Sequence, residues 1–518
     1  MVLLSPSLVM PSRTVLFICG SLLVAWLCFK FISRHSHPLP PGPRKLPVIG
    51  NILSIPRAYQ WMKFAKWAKH YNSDIIHLDV FGSSIVVLCS YDAVVDLLDK
   101  RSSIYSNRPQ LLMATELMGW KNSIFLKQYG ESWRAGRRLL HEQFQPTAVT
   151  RFKPQQTVAS HHLMQRLLNS PVDFSAHIRY AASDLSMSIA YGMDVVPAHV
   201  KVATATLAAV AVASSPGAYF VDFIPMLKHA PEWFPGASFL RNGRKWKQDY
   251  ENVVNEPFTQ TQQALVDGLA APSFTQEVLE TLNAREDNVS QNDFLKFAAA
   301  DIYMGAVDTS VSAITAFFLA MLLNPQAMRK AQAELDAVIK PGFLPSFEDE
   351  PRLPYISAIV LETLRWHVVN PLAIPHAATE DDVYRGYRIP ASSIVIANVW
   401  AITHDENKYQ DPFEFRPERY LTKEGVLDPT VQDPRSVVFG FGRRACPGMH
   451  LGTSFVWITV ASVLSCFNIT KALDKNGVAT EPSYEQSSGL VSFPKPFKCS
   501  IAPRSPDAAK LIKETTDV

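Results

Sequence analysis

The sequence predicts a large globular core built around one long buried helix and carried behind an N-terminal membrane span. Three observations predict it. The chain has 518 residues, 47% apolar and 19% charged, enough to bury a sizeable core. The stretch Phe294 to Leu323, FLKFAAADIYMGAVDTSVSAITAFFLAMLL, is mostly apolar and free of proline, so it reads as a helix buried on all sides. The third is TVLFICGSLLVAWLCF, Thr14 to Phe29, which carries no charge. Length alone allows two or three domains, and the 37 prolines are scattered as punctuation between short elements. With a net charge of +3 and no long Lys/Arg run, the electrostatic footprint of a nucleic-acid binder is missing. There is no internal repeat and no low-complexity tract.

Taken in order, residues 1–13 precede the apolar run, which Phe31 and Ile32 extend beyond Lys30, whose stem reaches a headgroup. A helix over 14–32, at about 1.5 Å per residue, is long enough for a thin membrane such as that of the endoplasmic reticulum. Arg13 lies before it, and Lys30, Arg34, Arg44 and Lys45 follow. The positive-inside rule therefore makes residues 1–13 lumenal and the rest cytosolic. The alternative is a cleaved signal peptide. The long run, the missing small-residue cleavage site and the basic residues behind it favour an uncleaved anchor. Residues 33–50 form a basic, proline-rich tether. Four prolines between Pro38 and Pro43 hold the backbone near polyproline geometry as a stiff spacer, a task any linker would also fill.

Six cysteines without a CxxC pair suit a reducing compartment. Cys19 and Cys28 lie in the span, and Cys89 and Cys466 read as small core residues. Cys446 differs. In FGFGRRACPGMHLG, Gly442 and Gly448 permit turns and Pro447 lacks a donor, so the segment can curl its amides around the sulfur, with Arg444 adding positive charge. Zinc would want further ligands at suitable spacing, and a nucleophilic thiolate would want more than His450 four residues away. A single thiolate is enough for a metal whose other positions a macrocycle fills, namely heme iron.

FGFGRRACPG resembles the F-x-x-G-x-R-x-C-x-G signature of the cytochrome P-450 family through Phe439, Gly442, Arg444, Cys446 and Gly448. The resemblance extends along most of the chain. Glu362 and Arg365 in ISAIVLETLRWH share a helix face, and FEFRPERY supplies Arg419 as the third member of the family's Glu-Arg-Arg cluster. An isolated E-x-x-R is a common solvated pair; the order of these motifs marks this one as structural support. Gly305 to Ser310, GAVDTS, resembles the family's oxygen-binding motif, with Ala306 where glycine is frequent. Thr309 can bond back to the carbonyl of Gly305 and open a groove in the helix. The resemblance implies that Thr309 and Asp308 deliver protons during oxygen activation. Trp133 and Arg137, four apart, match a W-x-x-x-R whose pair contacts a heme propionate, and His376 stands where another propionate contact is usual. Solvated arginines and a packing histidine are the plain alternatives.

The resemblance implies a mainly α fold with a small β lobe wrapped around one buried heme b. The catalytic domain would run from 51 to 503, with 504–518 a loose tail. It also implies a monooxygenase inserting one atom of dioxygen into a lipophilic molecule. With no flavin or nicotinamide fingerprint, electrons would come from NADPH through a reductase, or from a cytochrome b-type donor, on the endoplasmic reticulum membrane. The segments Leu111 to Phe125, Ala299 to Val307, Val368 to Ile374 and Ser488 to Phe493 are expected to shape an apolar pocket. Ala218 to Gly236, rich in aromatics, either rests on the bilayer or packs in the core. The wording of the motifs looks most like fungal members acting in secondary metabolism, on terpenoids, polyketides or aromatic metabolites. The rivals are an isomerase or dehydratase, a peroxygenase, and a non-catalytic heme sensor on the membrane; retention of Asp308, Thr309 and the thiolate speaks against them.

Overall fold

The computed structural model describes residues 37–215, 217–231, 233–283 and 289–515, with Ser21 in front. The expected lumenal segment 1–13 and anchor 14–32 otherwise lie outside the described residues. The longer helices, in chain order, are α1 (Gln60–Tyr71), α2 (Glu131–Phe144), α3 (Lys153–Asn169), α4 (Phe174–Tyr191), α5 (Pro197–Ala213) and α6 (Ser238–Val266). They continue with α7 (Phe274–Asn283), α8 (Val289–Leu323), α9 (Pro325–Val338), α10 (Pro354–Trp366), α11 (Met449–Cys466) and α12 (Pro506–Glu514). The central helix read from the sequence is α8. It is apolar on every side and must be covered on every side. It packs against α4, α6, α7, α10 and α11, with Ile314, Phe317, Phe318 and Leu319 fully buried. The parts of α8 and α11 that are long and apolar enough to cross a membrane are 78% and 67% buried, so both serve as core helices.

The β lobe is small. Strands β1 (Ile75–Val80) and β2 (Ser83–Leu88) form an antiparallel hairpin, with Ile75 opposite Leu88. β2 pairs in parallel with β6 (Ile394–Ala397), and β3 (His376–Ala377) closes the sheet antiparallel to β6. Two further hairpins join β4 (Asp382–Tyr384) to β5 (Tyr387–Ile389), and β7 (Phe467–Lys471) to β8 (Cys499–Pro503).

Two segments expected to stand apart from the core, the stiff proline-rich tether and the loose tail, are bonded to the domain. The carbonyls of Pro38 and Pro41 accept from Arg388 N (2.8 Å) and His77 N (2.9 Å), and Lys45 pairs with Asp79 at 3.0 Å. The proline-rich stretch is stitched to the sheet from Pro38 onward, because its lack of donors leaves its carbonyls free to cap strand amides. The tail is corrected too. Ser505 caps the amide of Ala508 at 3.1 Å, Pro506 starts α12, and Ile512 is fully buried. Within Ala218 to Gly236, Val221 is buried and Tyr219, Phe223 and Leu227 pack against the core, so core packing accounts for part of the segment. Met226 is 82% and Trp233 80% exposed.

The acid-base trio holds the meander before the Cys446 loop. Arg365 grips Glu362 through two bonds of 2.7 Å, both side chains fully buried, and Arg419 Nε lies 3.0 Å from the same carboxylate. Arg365 then donates to the carbonyls of Thr403 (3.1 Å) and Pro412 (2.7 Å), and Arg419 to that of Gln410 (2.8 Å). The amide of Arg416 also donates to Glu362 (2.8 Å). One carboxylate thus anchors, directly or through its two arginines, the chain at Thr403 and from Gln410 to Arg416. Glu362→Ala strands two buried cations and is expected to destabilise the protein by roughly 3–5 kcal/mol, measured by urea unfolding; a loss below about 1 kcal/mol would show that the trio is not a support.

Candidate functional site

The Cys446 loop turns twice through glycine. Gly440 and Gly442 have φ of 77° and 53°, and the carbonyl of Leu98 stands where a Cβ on Gly442 would go. Asp99 accepts from the Gly442 amide, and Cys446 N donates to the carbonyl of Phe439 at 2.7 Å. The thiol is enclosed by protein yet open to an internal space, so its surface accessibility is to that space. Burial pushes the thiol pKa up, opposed by the Gly448 amide aimed at the sulfur and by the charge of Arg137.

Across that space stands the middle of α8. Thr309 donates to the carbonyl of Gly305 at 2.9 Å, the back-bond read from the sequence, and the ring of Phe125 occupies the room left by the missing Gly305 side chain. Asp308 is held by Arg179 of α4 at 2.5 Å. The space is a cavity of about 280 Å³, continued by a second of about 130 Å³, and Cys446 and Thr309 border both. Each segment expected to shape the pocket contributes: Phe125, Met304, Val369 and Leu490 line the larger cavity. The sequence reading missed Leu207 and Val210 of α5, whose small apolar face looks like any core helix.

One end of the larger cavity is ringed by cations. Arg137 and Arg444 of the expected set border it, together with Arg108, which the sequence reading missed. Arg444 donates to the carbonyls of Ser106 (2.7 Å), Ile124 (3.2 Å) and Lys127 (2.8 Å), with its guanidinium 4.2 Å from the Trp133 ring. Arg108 donates to those of Phe125 (2.9 Å), Ile374 (2.8 Å) and Pro375 (2.7 Å). None of the three arginines pairs with a carboxylate among the described residues. Burial and the neighbouring Arg444 hold Arg108 well below its usual range, and burial with Arg137 pushes Arg444 down to about 9. Trp133 also borders the cavity, but its N–H is engaged by the carbonyl of Ile124 at 3.3 Å. His376 donates through Nδ1 to the carbonyl of Tyr105 (2.7 Å), and burial beside Arg108 lowers its pKa to about 3. Phe439 and Gly442 shape the thiol loop, whereas Glu362, Arg365 and Arg419 lie away from the cavity lining.

A family model described as Cytochrome P450 matches residues 40–501. Cytochrome P450 monooxygenase 98 of Postia placenta is 43% identical over 97% of this chain and 98% of its own length. Tryptamine 4-monooxygenase of Psilocybe cyanescens is 41% identical over 92% of this chain and 94% of its own. Cytochrome P450 monooxygenase ple1 of Rhodocybe pseudopiperita is 40% identical, with 93% and 92% covered.

Asp301, one further residue missed, borders the smaller cavity and accepts from Ser123 Oγ (2.7 Å) and Ile124 N (2.6 Å). Burial raises its pKa from 3.8 to about 7. Between those values the folded chain keeps a proton that the unfolded chain releases, so this residue's contribution falls as pH rises and levels off above about 7. Unfolding of wild type and Asp301→Asn, compared from pH 4.5 to 8, should show wild type losing ground at up to about 1.4 kcal/mol per pH unit below pH 7. A difference that does not change with pH would refute the assignment.

Proposed function

The chain belongs to the cytochrome P450 family of oxygen-incorporating oxidoreductases; from that premise we propose that it inserts one oxygen atom from dioxygen into a lipophilic molecule of secondary metabolism, with electrons from NADPH through a membrane reductase. The observation that carries the reading is the pairing of the Cys446 thiol and the Thr309 hydroxyl, from separate elements, on one apolar cavity.

The family implies heme, and the residues fit it. Three guanidiniums without a carboxylate, Arg108 and Arg444 buried and Arg137 half-buried, are costly as they stand and are relieved by a group with acidic side arms. The enclosed thiol facing apolar walls suits the body of the same group. Cys446 would ligate the iron, and Arg108, Arg137, Arg444 and His376 would hold the side arms, with Trp133 supporting Arg444 from below. Heme, when bound, supplies the one-electron steps and the activation of dioxygen. The Gly448 amide and Arg137 favour the thiolate over the thiol. Thr309 can turn its hydroxyl from the Gly305 carbonyl into the cavity, and Asp308 beside it can hand on a proton. The apolar walls exclude water and favour a terpenoid, polyketide or aromatic substrate.

The apolar run at 14–32, the basic residues behind it and the exposed Met226 and Trp233 support a single-pass protein of the endoplasmic reticulum with its domain on the cytosolic side. Absence of a flavin or nicotinamide fingerprint supports an external reductase. Reduced, CO-treated protein should show the absorption band that names the family, and Cys446→Ala should lose it; a band that survives the substitution would sink the ligand assignment. With reductase and NADPH the wild type should yield a product heavier by one oxygen atom, and Thr309→Ala should cut that yield about 10²-fold, measured per NADPH consumed.

A further inference from the structure

Two acids border the cavities, and both are already engaged. Asp301 has its oxygens on Ser123 and the Ile124 amide. Asp308, the one acid on the larger cavity, is bound through Oδ1 to Arg179 at 2.5 Å. Arg179 is not a chance neighbour. It comes from α4, reaches Thr204 Oγ1 of α5 at 3.4 Å, and lies 5.9 Å from the ring of Phe493 in the C-terminal loop. Three elements beside the cavity therefore hold one guanidinium on one carboxylate. The remaining charges on the larger cavity, Arg108, Arg137 and Arg444, are positive. A cationic substrate entering this space loses its hydration and meets no free anion. The aromatic faces are limited as well, because Trp120 on the cavity wall is stacked on Tyr250 at 4.2 Å.

We propose that Arg179 is a specificity-determining residue which neutralises Asp308 toward the cavity, so that this enzyme takes uncharged lipophiles and rejects ammonium-bearing ones. The inference rests on the monooxygenase reading of the same site and deepens it. Freeing Asp308 would give an ammonium the counter-charge it lacks. The carboxylate stays in place, so the change acts on substrate charge and leaves cavity size nearly untouched.

The test uses holoenzyme and a matched pair of probes: 2-(indol-3-yl)ethyl-trimethylammonium and its neutral carbon analogue 3-(3,3-dimethylbutyl)indole. The quaternary nitrogen has no lone pair to bind iron, and equilibrium dialysis reads retention without turnover. Wild type should hold the neutral probe at least about tenfold more tightly. Arg179→Gln should narrow that ratio about tenfold, Arg179→Lys should keep it, and Arg179→Gln with Asp308→Asn should restore it. The CO band reports that each variant is folded and loaded. Should Arg179→Gln fail to load, Asp308→Asn alone still decides, because it leaves Arg179 unopposed and must widen the ratio. Equal or tighter binding of the cation by wild type overturns the proposal, as does a ratio that ignores both Arg179→Gln and Asp308→Asn. Failure of the monooxygenase reading would appear elsewhere, as a missing CO band or no oxygenated product.

Discussion

Both backbone polar groups of Ile124 are spoken for, and three elements meet through them. Its N–H donates to Asp301 of α8, while its carbonyl accepts from Trp133 of α2 and from Arg444 of the thiol loop. A buried amide must find partners, and here every partner is a side chain, two of them from distant parts of the sequence and the third, Trp133, from the next helix. The consequence is mechanical. The loop that carries Phe125 against Gly305 cannot move without releasing the central helix and the thiol loop together. The cavity is therefore bounded by one connected set of hydrogen bonds, which keeps Cys446 and Thr309 in register although more than a hundred residues separate them.

That dependence also divides the polar charge of the site. Arg108 and Arg444 spend their donors on carbonyls and not on carboxylates, so they are fixed in place and left without a counter-charge. At the other end, Arg179 spends its charge on Asp308. One end of the cavity is electrostatically open to an anion, and the rest is neutral. An apolar ligand and an acidic cofactor can then share one space without competing for the same groups.

What could be read from sequence follows how local each interaction is. The turn at Gly442, the Thr309 back-bond and the Glu362–Arg365 pair are fixed by spacings of a few residues, and each is found where spacing put it, whereas the second left-handed turn falls on Gly440 and not on Gly448, whose φ is −85°. Arg108, Arg179 and Asp301 carried no such mark. Each acts on a partner reached only by folding, Arg108 on carbonyls near residue 374 and Arg179 on a helix 129 positions further along. The helix at Pro506–Glu514 was hidden for a different reason. Its apolar face is little more than Ala508 and Ile512, too short a pattern to stand out until α3 supplies the surface it covers. The proline stretch misled in the opposite direction, since stiffness was legible but the strand amides waiting for its carbonyls were not.

The polar residues of α8 explain why so apolar a helix carries them at all. Asp301 binds the loop at Ser123 and Ile124, Asp308 binds α4 through Arg179, and Thr309 binds the helix's own carbonyl at Gly305. One turn on, Ser312 lies 3.0 Å from His367 Nε2 and donates to the carbonyl of Ser492 at 2.5 Å, fixing the segment after α10 and the C-terminal loop. Apolar packing alone would let these walls slide or rotate about a smooth cylinder, because it has little direction. A hydrogen bond has direction and a narrow range of length. Three of these polar side chains, Asp301, Asp308 and Ser312, thus index separate walls to one helix within twelve positions, and a cavity built from chain segments hundreds of residues apart acquires a single shape.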